Sequence, residues 1–236
     1  MIADLIEIQA EALFTCDADG RLRHLREPVA EAELVPAPRF FMGRTRQRNI
    51  WRVRHDLPDA LIDELEKLCQ AEPLTADLAA PPHNAEAIRA VLHQYAPVNK
   101  EWRGPAYHFP ADLQASADVV LVSDANVDCL DVHFSWAIES GFGLKTGPVA
   151  VKLVGGEAVS ICFCARLTAR AAEAGVETEA HFRGRGYAGG VVSAWAQAMR
   201  QRGVQPLYST AWDNLASQRV AQKLGLICYG DDWSVY

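Results

Sequence analysis

Apolar and polar positions change period several times along the chain, and each change marks an element. Residues 2–13 set apolar side chains against Asp4, Glu7 and Glu11, which predicts an acidic amphipathic helix. Residues 14–26 then predict a hairpin turning at Asp17-Ala18-Asp19-Gly20, and residues 39–55 alternate partially between apolar and basic, as a strand or hairpin does. Pro58 opens a helix to about Gln70 on which Leu61, Leu65 and Leu68 recur at helical spacing. The proline- and alanine-rich stretch 73–82 marks a loop or linker, and a short helix covers about 84–94. Residues 97–110 read as another loop, whose Trp102, Tyr107 and His108 line a ligand pocket or cover a core edge.

From Val119 the pattern becomes a regular alternation of strand and turn. Residues 119–122 form a short apolar strand, and 134–139 a further strand or a helical turn. Residues 149–154, Gly155-Gly156 and 158–167 predict an antiparallel hairpin with a two-glycine turn. There follow a strand ending at Thr178, a glycine-rich loop, and a helix over about 188–202 closed by Gly203, with Val192, Trp195 and Met199 on one face. A strand over 207–212, a helix over 215–224 closed by Gly225, and final strands through Tyr229 and Val235 complete an α/β order.

Half of the 236 residues are apolar, enough for a sizeable core without disulfide staples. The six cysteines are scattered without zinc-ligand spacing, so no metal site is expected; Cys162 and Cys164, two apart on a predicted strand, share one face. The start of the chain is acidic, unlike a secretory signal, and no apolar run reaches membrane-spanning length, which leads us to expect a cytoplasmic protein with no membrane partner. A net charge of −7 argues against a nucleic-acid partner. Arg44, Arg46, Arg48, Arg52 and Arg54 form either a local basic patch or, at their alternate spacing, the solvated face of a strand.

The segment from Arg183 to Gly189 sits between a strand and an amphipathic helix, where anion binding is favoured. Glycines let the backbone approach a phosphate, and the helix N-terminus offers unpaired N–H groups. Gly184-x-Gly186-x-x-Gly189 also spells a dinucleotide-binding fingerprint, with Asp213 placed 24 residues on as a ribose acid. That fold needs several further parallel strands, and only 47 residues remain. A plain structural turn serving helix packing is the third reading.

Arg183-Gly184-Arg185-Gly186-Tyr187-Ala188 resembles the signature loop of the GNAT (GCN5-related N-acetyltransferase) superfamily, and the run from Asn214 through Lys223-Leu224-Gly225-Leu226 resembles its second conserved segment. The wording, followed by a tryptophan-containing helix, is most similar to the branch with glycine N-acyltransferase-like C-terminal domains. The likeness is specific over 148–236 and extends with less specificity from 106. Residues 106–236 would then form an acyl-CoA-binding catalytic domain with the GNAT fold, a mixed central sheet with splayed strands flanked by helices. Residues 1–105 would form an α/β N-terminal region, either a degenerate GNAT-like half or an accessory layer.

The resemblance implies acetyl-CoA, or another acyl-CoA, as cosubstrate and a primary amine of a small molecule or peptide as acceptor. The main chains of Val176 and Thr178 would hold the pantetheine arm and acyl carbonyl, residues 183–188 would wrap the pyrophosphate, and Asn214 and Ser217 would complete the cofactor site; capping the helix is the structural role open to Asn214. Acyl transfer needs a base for the amine proton, and Glu173 and Glu177 share one face of a regular strand, Glu177 being nearer the expected acetyl position. Many family members place a tyrosine where this chain has Ala221, so a proton for the leaving thiolate would come from Ser217, Tyr208, Tyr229 or water. That absence also keeps open a non-catalytic acyl-CoA sensor or scaffold. The chain is expected to act as a monomer or homodimer.

Overall fold

A computed structural model describes residues 4–26, 34–139 and 144–236. Helix α1 (Leu5–Leu13) runs into the ribbon β1 (Phe14–Cys16) and β2 (Leu22–Leu25). There follow β3 (Phe40–Arg44), β4 (Asn49–Val53), α2 (Asp59–Gln70), α3 (Ala85–Tyr95), β5 (Glu101–His108), β6 (Val120–Leu121), α4 (Ser135–Glu139), β7 (Ala150–Val154) and β8 (Glu157–Leu167). The chain continues through β9 (Ala171–Thr178), α5 (Tyr187–Gln201), β10 (Gln205–Ser209), α6 (Leu215–Lys223) and β11 (Ile227–Val235). Nine strands form one mixed sheet in the order β4-β3-β11-β5-β10-β9-β8-β7-β6.

Local chemistry accounts for the turns. In the ribbon Asp17 accepts the backbone N–H groups of Asp19 and Arg21, at 3.0 Å each. Between β7 and β8 both Gly155 and Gly156 have positive φ, 63° and 92°, the conformation a two-residue hairpin turn demands. The predicted hairpins are therefore present, and residues 134–139 resolve into helix α4. Residues 2 and 3 of the first predicted helix lie outside the described residues.

Strand alternation sorts the core between two faces. Phe41, Ala106, Ala171, Leu207 and Tyr229 pack with Ile6 and Ala10 of α1 on one side. On the other, Phe40, Met42, Trp233 and Val235 meet α2 and α3, while Ala150, Cys162, Cys164, Ala172 and Tyr208 meet Val192, Trp195 and Met199 of α5. Cys162 and Cys164 thus share the α5 face as expected.

Several expectations are corrected. The stretch 97–110, expected as a loop, contains β5, which pairs with β11 along its whole length and with β10 over residues 106–108. Its Gly104 and Pro105 suit the place where β10 leaves the sheet. A side chain at Gly104 would run into the Thr210 backbone. The Pro105 carbonyl accepts the Thr210 N–H at 3.3 Å. A strand residue turns its N–H and C=O to the same side in an antiparallel ladder, so the missing proline N–H falls where pairing with β10 has ended and the β11 ladder is intact.

Arg44, expected on a solvated face, is buried. Its Nη2 lies 2.7 Å from Asp231 Oδ2, and it also reaches the Ala80 carbonyl at 2.6 Å, which tethers the 73–82 loop. Arg48 and Arg52 pair with Glu7 of α1 and Arg54 with Asp56, so these residues form no free basic patch. On α6 the buried face centres on Ala221, flanked by Val220 and Leu224, whereas Ala216 is exposed. The final strands are one, β11.

Candidate functional site

Strands β9 and β10 run parallel and part early. Gln205, Pro206 and Leu207 lie opposite Ala171, Ala172 and Glu173. Beyond that point residues 207–209 stay with β5, whereas β9 stays with β8 as far as Thr178. A gap opens between residues 174–178 and the end of β10. The Glu179 N–H bonds to the Val159 carbonyl, so by strand alternation residues 175 and 177 turn their backbone groups to β8. Those of Ala174, Val176 and Thr178 face the gap.

The gap leads to the glycine loop. Gly184 and Gly186 both have positive φ, 78° and 84°, and open space where a Cβ would be, so the loop is a smooth backbone turn at the head of α5. Gly186 is the N-cap of that 15-residue helix, and no side chain caps it. The first-turn N–H groups, from Tyr187 and Ala188 onward, are available to an anion, with the helix dipole behind them. Arg183 Nε donates to the Thr178 carbonyl at 3.0 Å and Arg185 to the His181 carbonyl at 3.2 Å, so both exposed guanidiniums are held on the loop. Tyr187 carries the Lys152 ammonium 5.5 Å from its ring centroid. A phosphate-bearing group fits this cradle: the backbone donors are uncapped and Arg183 and Arg185 stand on the loop, while Lys152 is paired with Asp118 and Glu179 with His181.

Across the gap, Asn214 caps α6 by accepting the Ser217 N–H at 3.1 Å. The Ser217 hydroxyl lies 2.6 Å from that of Tyr208 on β10. Burial pushes the Tyr208 phenol up to about 12, so it is a protonated donor at neutral pH. Tyr229, by contrast, stands on the opposite face of the sheet and donates its hydroxyl to Gln9 Oε1 at 2.8 Å.

The two sequence-predicted carboxyls are placed very differently. Glu177 is exposed near the outer end of β9. Glu173 is 3% exposed, at the point where β9 and β10 separate, and its Oε2 accepts the Ser209 hydroxyl at 3.1 Å. Burial, offset in part by Ser209, Gln9 and Arg166, pushes its carboxyl up to about 7. Gln9 and Asp232 also belong to this buried polar group and were not singled out by the sequence; a doublet of aspartates, Asp231-Asp232, inside an otherwise apolar strand was the available signal. Trp102 and His133, away from Glu173, form no part of it: His133 pairs with Glu157 at 3.8 Å.

Residues 137–236 match the sequence model of the GNAT acetyltransferase family. The mixed sheet flanked by helices has the GNAT fold, as expected from the two motifs. Among solved structures, a GNAT-family protein from Novosphingobium aromaticivorans is similar at 17% identity over 58% of this chain and 65% of its own, slightly under two thirds, with TM-score 0.47. A GCN5-related N-acetyltransferase-like protein from Streptococcus suis gives 17% identity, 85% coverage of each chain and TM-score 0.47. An acetyltransferase of the GNAT family from Colwellia psychrerythraea gives 14% identity, covering 100% of this chain and 97% of that one, with TM-score 0.49. No curated protein sequence matches. Among the described residues, no group of three or more His, Cys, Asp or Glu side chains could hold a metal ion, and no helix is long and apolar enough to cross a membrane.

Proposed function

We propose that this protein transfers an acyl group, most simply acetyl, from acyl-CoA to a primary amine of a small molecule or peptide, with Glu173 as the base. The observation that carries the reading is the parting of β9 and β10 beside a buried carboxyl, in a gap that runs to an uncapped helix N-terminus. Backbone groups of Val176 and Thr178 would hold the pantetheine arm, residues 183–188 the pyrophosphate, and the segment opened by Asn214 and Ser217 the far wall. Acyl-CoA, when bound, supplies an electrophilic thioester carbonyl. Glu173 takes the proton lost by the amine nitrogen as the new carbon–nitrogen bond forms. Tyr208, hydrogen-bonded to Ser217, supplies a proton at sulfur as the carbon–sulfur bond breaks, which answers the missing hydroxyl at Ala221. Glu177 lies about 13 Å further along an extended strand and is exposed, which favours Glu173 of the two. The Arg-Gly-Arg-Gly-Tyr-Ala wording supports placing the chain in the glycine N-acyltransferase-like branch.

A second reading, acyl-CoA binding without turnover, is favoured by Ala221. Release of CoA from acetyl-CoA with a panel of amines separates the two. The enzyme reading expects turnover that falls by roughly 100- to 10,000-fold in Glu173→Gln with CoA affinity kept, and far less in Glu177→Gln. Tight CoA binding with no turnover on any amine would leave the sensor reading standing.

A further inference from the structure

The α1 face of the sheet is covered in two places. Helix α1 packs on Phe41, Ala106, Ala171 and Leu207, while Leu130, Phe134 and Ala137, in and just before α4, pack on Val151, Ala158 and Ile161. Among the described residues, neither apolar cluster takes in a residue of β9 beyond Ala171. Along this face of β9, Ala171 and Glu173 are buried, Gly175 is half-buried and Glu177 is exposed. Solvent therefore reaches Glu173 from the Gly175 side. The Glu173 Oε1 atom, buried and without a hydrogen-bond partner among the described residues, is the one left for an incoming group.

Gly175 is the floor of this approach, about 7 Å from Glu173 along the strand. It lies opposite Phe163 of β8, and a Cβ at Gly175 would stand 2.6 Å from Phe163 Cζ, so the ring is laid over the glycine. A glycine inside a strand weakens it and marks a place where another group comes close. Trp136 of α4 meets Phe163 edge-on, with ring centroids 5.1 Å apart and 68° between the planes. Both rings are half-buried, and they wall the approach on its β8 side. Two charges flank it besides Glu173: the Glu177 carboxylate at the outer end, and Arg166, opposite Glu173, which donates Nη1 to the Ala165 carbonyl at 2.6 Å.

We propose that Phe163 and Trp136 determine acceptor specificity, and that the acceptor is a primary amine on an aromatic body, which lies along the two rings while its nitrogen reaches Glu173 Oε1. Such an amine is an ammonium ion in neutral water. The exposed Glu177 carboxylate attracts it at the entrance, the ring faces favour a cation on the way in, and they take up apolar surface once it is seated. The inference rests on the assignment of Glu173 as base.

Kinetics with acetyl-CoA and either phenethylamine or ethylamine, which differ by the ring alone, test it. Wild type should show a KM for phenethylamine lower by roughly tenfold or more. Phe163→Leu keeps apolar volume but loses the ring face. Gly175→Ala presses on the far end of the Phe163 ring, which can swing away without disturbing the backbone. Each should shrink the KM ratio at least threefold, with the change in KM rather than kcat. Equal KM values in wild type, or a ratio unmoved in the folded variants, overturns the proposal; should one variant fail to fold, the other and the wild-type ratio decide. Calorimetric titration of phenethylamine into the CoA-saturated protein reads the same contact without turnover. Binding that Phe163→Leu weakens, with no turnover on either amine, would keep the aromatic wall and sink the acyl-transfer reading. Turnover with no preference for the ring would do the reverse, and no binding of phenethylamine would also overturn the proposal.

Discussion

Replacing Glu173 by glutamine should make the protein more stable, by an amount that depends on pH. Burial lifts the carboxyl from an ordinary 4.5 to about 7, so folding takes up a proton between those values. Below pH 4.5 the folded and unfolded chains both hold the proton and its contribution is fully present. As pH rises the unfolded chain releases it while the folded one keeps it, and stability falls by about 1.4 kcal/mol per pH unit until the folded carboxyl itself ionises. The total loss is about 3 kcal/mol, or on the order of 6–12 °C in melting temperature for a chain of this size. Glutamine occupies nearly the same space, can still meet Ser209, and does not titrate. Urea denaturation of wild type and Glu173→Gln at half-unit steps from pH 4 to 8 reads the effect, because carboxyls that do not interact with Glu173 cancel in the difference, leaving Asp232, which Glu173 pushes up, as the coupled group. The stability gap should open through this window in favour of the variant and then level off. Parallel curves, or a wild type that gains on the variant as pH rises, would show a carboxylate already ionised and satisfied, and would remove the reason for Glu173 to act as a base near neutrality.

Two other perturbations probe the cradle and the frame. Gly186→Val places a branched side chain at a φ of 84°, where a Cβ costs about 1–2 kcal/mol, and it intrudes on the loop surface; CoA affinity by titration calorimetry should fall more than tenfold, and retained affinity would show that the pyrophosphate lies elsewhere. Asp231→Ala strips the buried Arg44 guanidinium of its partner and leaves Trp212 Nε1, now 2.6 Å from Asp231 Oδ1, without an acceptor; denaturation should show a loss of about 3–5 kcal/mol, partly recovered by adding Arg44→Met.

What the chain disclosed in advance follows from the range of the interactions involved. The glycine loop, the Asn214 cap and the two-glycine hairpin are local: φ, capping and turn geometry are settled within a few residues, and the sequence shows them directly. Strand β5 was hidden because Gly104 and Pro105 look like loop residues until Thr210 is known to cross above them. Arg44 looked like a solvated residue because its partner, Asp231, lies 187 positions away. The choice between Glu173 and Glu177 is of the same kind. Strand parity puts both on one face, and only the place where β10 departs, together with Gln9 and Asp232 from the two ends of the chain, separates a buried acid from an exposed one.

Strand β11 lies between β3 and β5, so residues 227–235 join two parts of the sheet that otherwise do not touch along their edges. Before it docks, β3–β4 and the strands from β5 to β6 are separate pieces, each presenting a bare edge to the other. Every ladder that β11 closes with β3 spans more than 180 positions, the sort of late, distant pairing that slows folding and leaves open edges exposed meanwhile. Because Asp231 and Asp232 ride on the same strand, one docking event both seals the sheet and delivers the partners of Arg44 and Gln9. Without this segment neither piece has its neighbour, and the carboxyl at the fork has no assembled surroundings in which to work.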